Sequence, residues 1–137
     1  LLTKAKEYSI ESVMAISTCN RTEVLGFVKD PEILIDLLCD VTNGSKEEFK
    51  KLAYTHSGST AIKHLFKVGS GLESQILGDF EIIGQLKHSA AISKKEGLLN
   101  TYLERLITSV IRASKKIKTE TSLSTGATSV SFASVQY

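Results

Sequence analysis

Apolar residues fall into two unbroken runs near the start of the chain and into spaced rows after that. Val13-Met14-Ala15-Ile16 and Val24-Leu25-Gly26-Phe27-Val28 flank the polar heptapeptide Ser17-Thr18-Cys19-Asn20-Arg21-Thr22-Glu23. Short runs bounded in this way predict two largely buried strands, at about 13–17 and 22–28, joined by a hairpin turn. Residues 1–11 carry Lys4, Lys6, Glu7 and Glu11 around few apolar positions and predict a surface helix. Asp30-Pro31-Glu32 predicts a helix entry, with Asp30 as N-cap and Pro31 in the first turn. Leu34, Leu37, Leu38 and Val41 then keep the i, i+3, i+4, i+7 spacing of one helix face. Asn43-Gly44 stops that helix, and Ser45-Lys46-Glu47-Glu48 opens a short successor to about Lys51. Leu52-Ala53-Tyr54-Thr55-His56 predicts a third strand.

From Ser59 onward the pattern is helical. Ile62, Leu65, Phe66 and Gly69 share one face of a helix over 59–68, with His64 beside that stripe. Gly69-Ser70-Gly71 breaks it, Leu72–Leu77 resumes for about a turn, and Gly78 breaks the pattern again. A helix over 79–96 buries Ile82, Ile83, Leu86 and Ala90 and stops at Gly97. A longer one over 101–119 turns Leu103, Leu106, Ile107, Val110, Ile111 and Ile117 inward, and its other side carries Arg105, Arg112, Lys115, Lys116 and Lys118. Such a basic side is either a solvated face that suits the helix dipole or a surface for a phosphate backbone. Residues 121–137, rich in small hydroxylated side chains and then apolar, predict a loop followed by the first turns of a helix.

Composition narrows the class. The 137 residues are 42% hydrophobic, enough for one domain with a real core, and 17 Lys+Arg against 15 Asp+Glu leave a net charge of +2 that neither demands nor excludes nucleic acid. Two cysteines, Cys19 and Cys39, are too few for a disulfide framework and have no zinc-ligand spacing around them, which suits a reducing, cytoplasmic compartment. No apolar run approaches the roughly 18 residues of a membrane span, and no secretory signal opens the chain. Starting at Leu1 and stopping at Tyr137 inside a helical pattern, the chain reads as a piece of a longer polypeptide. Gly69-Ser70-Gly71 follows a helix and lacks the further glycine of a dinucleotide loop, so a nicotinamide cofactor would be bound elsewhere.

The hairpin turn carries the candidate chemistry. A thiol on a supported loop can meet a substrate, whereas one in a core is an inert hydrophobe. Cys39, inside a helix, is assigned to packing. Cys19 needs a cation, a base or aimed N–H groups to act as a nucleophile, and Arg21 is either that cation or a clamp for a substrate carboxylate. The heptapeptide alone is equally compatible with a half-buried structural thiol beside a surface arginine. His64, by itself, is a helix-surface histidine.

Several blocks in order carry a resemblance: Ser17–Val24, His64–Ser74, Ile76-Leu77-Gly78, Ile83-Gly84-Gln85-Leu86-Lys87 and Gly126–Ser131. Together they resemble the N-terminal catalytic domain of glutamyl-tRNA reductase, from about residue 13 to 137. The resemblance implies an enzyme of tetrapyrrole biosynthesis that reduces the activated carboxyl of glutamyl-tRNA to glutamate-1-semialdehyde with NADPH. It implies an α+β fold: a ferredoxin-like α/β sandwich with a small antiparallel sheet, its first strand missing before Leu1, followed by a helical part. Residues 1–120 would be the catalytic, substrate-binding domain and 121–137 a connection toward an absent NADPH-binding domain. Glutamyl-tRNA would be the substrate, the full-length enzyme a homodimer, and the downstream aminomutase a further partner, with no metal and no membrane.

By position, Cys19 matches the family's nucleophile, which forms a glutamyl thioester as tRNA leaves, and His64 matches its histidine near the thiol. Arg21 and Ser74 match residues that hold the glutamyl group. Thr18 and Asn20 of the same motif orient the loop or the substrate, and Gln85 joins them as a substrate-binding residue. Asp79-Phe80-Glu81 stands where Glu-Pro-Gln is common in the family. Two other classes fit the residues: an RNA-binding α/β module without catalysis, and a different cysteine acyl-transfer enzyme.

Overall fold

Both apolar runs form strands. In the computed structural model, which describes residues 1–75, 77–79 and 81–124, β1 (Ser12–Ser17) and β2 (Thr22–Phe27) pair antiparallel, with Ser12 opposite Phe27 and Ser17 opposite Thr22. Around them the chain runs through α1 (Leu2–Glu7), α2 (Glu32–Thr42), α3 (Lys46–Leu52), α4 (Gly58–Gly69), α5 (Glu81–Lys95) and α6 (Thr101–Glu120), then a 3-10 turn at Ser122–Ser124. The result is the expected α+β architecture with a helical part.

Pleating sends successive β1 side chains to opposite faces of the sheet, and both faces are covered. Met14 and Ile16 join Leu65 and Val68 of α4, Ile82 and Leu86 of α5, and Leu103, Ile107 and Val110 of α6 in the main core. Val13 joins Ala5, Ile10, Leu37 and Leu98 in a second cluster against α1 and α2. Burial on both sides is why the strand reads as a continuous apolar run instead of an alternation. The outer edge of β1 is closed by the residues after α5: Val13 N donates to Leu98 O at 2.9 Å, and Ser12 Oγ accepts from Asn100 N at 3.1 Å. A side chain at Gly69 would collide with Val110, so its absence sets how closely α4 and α6 pack.

Helix ends follow their residues. Asp30 Oδ1 accepts from Glu32 N at 2.9 Å, Ser45 Oγ from Glu48 N at 3.2 Å, and Asn100 Oδ1 from Leu103 N at 2.9 Å. Asn43 ends α2 in the left-handed conformation at φ 53°, and Gly97 lies just beyond α5 at φ 72°.

Three expectations change. Leu52–His56 is not a strand: α3 runs to Leu52, and the following stretch lies across a cleft from β2, with no neighbouring strand among the described residues to complete a ladder. The α2 row faces this cleft through Leu34 and Leu38, Val41 is 40% exposed, and the buried residues are Ile35 and Leu37. Leu72–Gln75 forms tight turns and no helical turn, because Gly71, at φ 73°, reverses the chain and its carbonyl accepts from Gly78 N at 3.1 Å. The helix expected within 121–137 falls, apart from the 3-10 turn, outside the described residues, as do the Gly126–Ser131 block, Ile76 and Phe80.

Candidate active site

Ser17 and Thr22 are the last paired residues of the hairpin, so Thr18–Arg21 forms its loop. Thr18 holds the loop from within. Its hydroxyl oxygen accepts from Asn20 N at 3.2 Å and Arg21 N at 3.0 Å and donates to Arg21 O at 3.1 Å, while Thr18 N donates to the same carbonyl at 2.9 Å. One donor and two acceptor positions are a hydroxyl's full capacity, so Thr18 is committed to the loop. Cys19 sits beyond these bonds, exposed, with no hydrogen bond among the described residues.

A second set of contacts ties the loop to the turn after α4. Arg21 Nη1 donates to the Glu73 carbonyl, and Asn20 Oδ1 accepts from Gln75 Nε2 at 2.9 Å. Ser74 is the residue between these two anchors. The turn keeps this course because Gly71 has a left-handed φ and no room for a side chain: a Cβ there would lie 2.7 Å from Asp79 O.

Arg21, Glu23 and Leu25 alternate onto one face of the sheet, and Glu23 pairs with Ile16, so its carboxylate points to the side occupied by α4. Its Oε1 lies 2.6 Å from Arg21 Nε, and its Oε2 lies 2.9 Å from His64 Nε2. His64, one residue before the core residue Leu65, is half-buried, with the His56 ring 4.7 Å away and Tyr54 edge-on at 5.7 Å. These side chains form the polar end of a cleft of about 470 Å³ whose apolar part includes Val24, Leu34, Leu38 and Phe49.

This motif-bearing loop, with its arginine and histidine gathered by one carboxylate, lies inside a stretch that a known family shares. The sequence profile described as the glutamyl-tRNAGlu reductase N-terminal domain matches residues 1–121. The chain belongs to this family. It is 61% identical over 137 residues to the glutamyl-tRNA reductase of Christiangramia forsetii and 60% identical over 137 residues to glutamyl-tRNA reductase 2 of Flavobacterium johnsoniae. Both matches cover 100% of this chain. At greater distance, the glutamyl-tRNA reductase of Aquifex aeolicus is 38% identical over 133 residues, 96% of this chain. The chain spans about a third of the length of these relatives, between 32% and 33%.

Of the residues that the reductase family's blocks singled out, the structure gathers Thr18, Cys19, Asn20 and Arg21 on one loop and links that loop to the Glu73–Gln75 turn, and so to Ser74. His64 joins them through Glu23. Gln85 does not join: it is exposed on α5, with no side-chain hydrogen bond among the described residues. Asp79 receives Glu81 N on Oδ1 at 2.9 Å and so supports the start of α5. Glu23, Tyr54, His56 and the Glu73 carbonyl were not singled out in the sequence. Glu23 had a signal, since period-two alternation puts it on the face of Arg21; the other three had none. The exposed Arg105, Arg112, Lys115 and Lys116 line α6, Lys116 within 3.8 Å of Glu120. Among the described residues no cluster of His, Cys, Asp and Glu could hold a metal ion, and no helix is long and apolar enough to cross a membrane.

Proposed function

We propose that this chain is the acyl-transfer module of a glutamyl-tRNA reductase, acting in the cytoplasm in tetrapyrrole biosynthesis. The observation that carries this reading is an exposed thiol at the tip of a loop held from within by Thr18 and from outside by Arg21 and Gln75. The Cys19 sulfur attacks the ester carbonyl of glutamyl-tRNA. A carbon–sulfur bond forms, the ester carbon–oxygen bond breaks, and the thiol proton ends on the released tRNA hydroxyl. The thioester is a covalent acyl intermediate reactive enough to accept hydride, as a free carboxylate is not. Arg21 spends part of its guanidinium on Glu73 and Glu23 and keeps other N–H donors for the glutamyl carboxylate, with Ser74 and Asn20 around the same group. His64 serves as the base near the thiol.

In this reading NADPH reduces the thioester to glutamate-1-semialdehyde. Among the described residues the two strands are joined by a hairpin and make no strand–turn–helix phosphate site, so these residues do not fit a dinucleotide; the chain's own chemistry ends at the thioester. Residues 1–120 form the catalytic domain and 121–137 the connection onward, in an enzyme that is a homodimer and hands its aldehyde to the aminomutase.

The deciding assay uses tRNA charged with labelled glutamate. This chain alone should deacylate it slowly, through Cys19, with or without NADPH, releasing glutamate and no semialdehyde. Semialdehyde from this chain alone would overturn the division of labour, and absence of any Cys19-dependent deacylation would overturn the catalytic role. The exposed basic side of α6 favours one other reading, a module that only binds RNA; in that case iodoacetamide would leave tRNA binding unchanged and no acyl-enzyme would form.

A further inference from the structure

The Glu23 carboxylate touches both Arg21 and His64. Its side chain is 18% exposed, with Arg21 at 20% and His64 at 15% on either side of it. A carboxylate only accepts hydrogen bonds, so the His64 nitrogen facing it, Nε2, carries a proton, and neutral His64 keeps its lone pair on Nδ1. The other oxygen, Oε1, is buried without a hydrogen bond, although it lies 2.6 Å from Arg21 Nε. That contact is an ion pair of poor hydrogen-bond alignment, and it leaves the guanidinium held by charge on one side and by the Glu73 carbonyl on the other.

We infer that Glu23 is a positioning residue for acyl transfer at Cys19. It selects the His64 tautomer that offers Nδ1 as the base and sets the plane in which Arg21 presents its remaining N–H groups. The inference rests on the acyl-transfer reading above but concerns a residue outside its set of thiol, base and substrate contacts. Tyr54 and His56, packed against the imidazole, limit its rotation and make the carboxylate's choice of nitrogen decisive.

Glu23→Gln tests it, because the amide keeps the shape and loses the charge. With the amide oxygen kept toward Arg21, a donor only, the amide NH2 faces His64, whose Nε2 must then accept, and the proton moves to Nδ1. Long-range nitrogen–proton spectra of the labelled chain should show His64 as the Nε2–H form in the parent and the Nδ1–H form in E23Q. His56→Asn and His88→Asn variants assign the three histidine signals. The rate of Cys19 acylation by glutamyl-tRNA, read by mass, should fall by about 100-fold or more, while the half-saturating glutamyl-tRNA concentration stays within about threefold. Glu23→Asp keeps both acceptors at shorter reach; it should keep the Nε2–H form and lose only about tenfold in rate, and it carries the test if E23Q does not fold. An unchanged tautomer in E23Q, or a changed tautomer with acylation within threefold of the parent, overturns the inference, as does an E23D rate equal to the parent's. A parent that forms no acyl-enzyme would instead overturn the proposed function, and the spectra would still decide whether Glu23 sets the His64 tautomer.

Discussion

Glu23 Oε2 lies 2.9 Å from His64 Nε2, although 41 positions separate the two residues along the chain. One belongs to the hairpin and the other to α4, and the contact exists because Leu65 packs against Met14 and Ile16 in the main core. Apolar packing thus delivers a histidine to the strand that bears the motif arginine. The thiol loop, the arginine and the histidine are parts of one supported unit.

Cys19→Ser should abolish acyl-enzyme formation and, in the full-length enzyme, semialdehyde production. Cys39→Ser should change either little. A serine hydroxyl at neutral pH is a far weaker nucleophile than even a small fraction of thiolate, while Cys39 is half-buried on α2. Equal losses from the two substitutions would contradict the assignment.

Arg21→Lys should reduce steady-state activity by about tenfold or more despite keeping the charge. A single ammonium cannot meet the Glu73 carbonyl and the Glu23 carboxylate together and still clamp a second carboxylate. Loss of such a charge-assisted pair costs on the order of 2–5 kcal/mol when buried in an interface. Kinetics within about twofold of the parent would refute the clamp.

Gly71→Ala should destabilise the chain by about 1–3 kcal/mol, the usual cost of a strained backbone position. The strain has two sources, a φ of 73° and a Cβ placed 2.7 Å from Asp79 O and 2.8 Å from Asp79 N. A urea denaturation midpoint equal to the parent's would show that the turn can relax. Gly97→Ala is the comparison: it shares the left-handed φ but has open space around it, so it should cost less.

Tyr8 should ionise late. Its hydroxyl donates to Asp40 Oδ2 at 2.7 Å, and that hydrogen bond, which only the neutral phenol can give, chiefly pushes its pKa from 10.0 up to about 12, with the neighbouring carboxylate charge adding to it. The sign follows: the neutral phenol is favoured in the fold, so its contribution to stability is present below about pH 10 and is lost as pH rises through about 12. Ultraviolet titration of the parent against Tyr8→Phe isolates this group, and Asp40→Asn should bring its midpoint back toward 10.0. A Tyr8 midpoint near 10.0 in the parent would contradict the hydrogen bond.

Charge reversal at Arg105 and Arg112, both exposed on α6, should weaken tRNA binding. It should also flatten the salt dependence, by about one unit of log-log slope for each phosphate that these arginines neutralise in the parent. An unchanged slope would show that tRNA does not lie on α6.

Local patterns along the chain were sufficient for most elements. The two apolar runs, the Ser45 cap, the stop at Asn43 and the rows of α4, α5 and α6 each depend on residues a few positions apart, and each element formed where its pattern lay; α2 starts one residue later than expected, with Pro31 as its N-cap. The motif around Cys19 was equally legible, because polar residues between two apolar runs fit the turn that joins them, here Thr18–Arg21, although β2, unlike β1, is only partly buried. Leu52–His56 departs from its pattern for a physical reason: β-propensity describes a residue's fit to a sheet, and whether a neighbouring strand is present to pair with is a tertiary fact. The α2 row departs because spacing identifies an apolar face without saying whether that face meets the core or a cleft. Glu23 looked like the polar end of a motif, and only the fold made it the carboxylate between Arg21 and His64. Pleat alternation determined which side of the sheet it faces; the packing of α4 on that side, set by core residues dozens of positions away, determined what it meets.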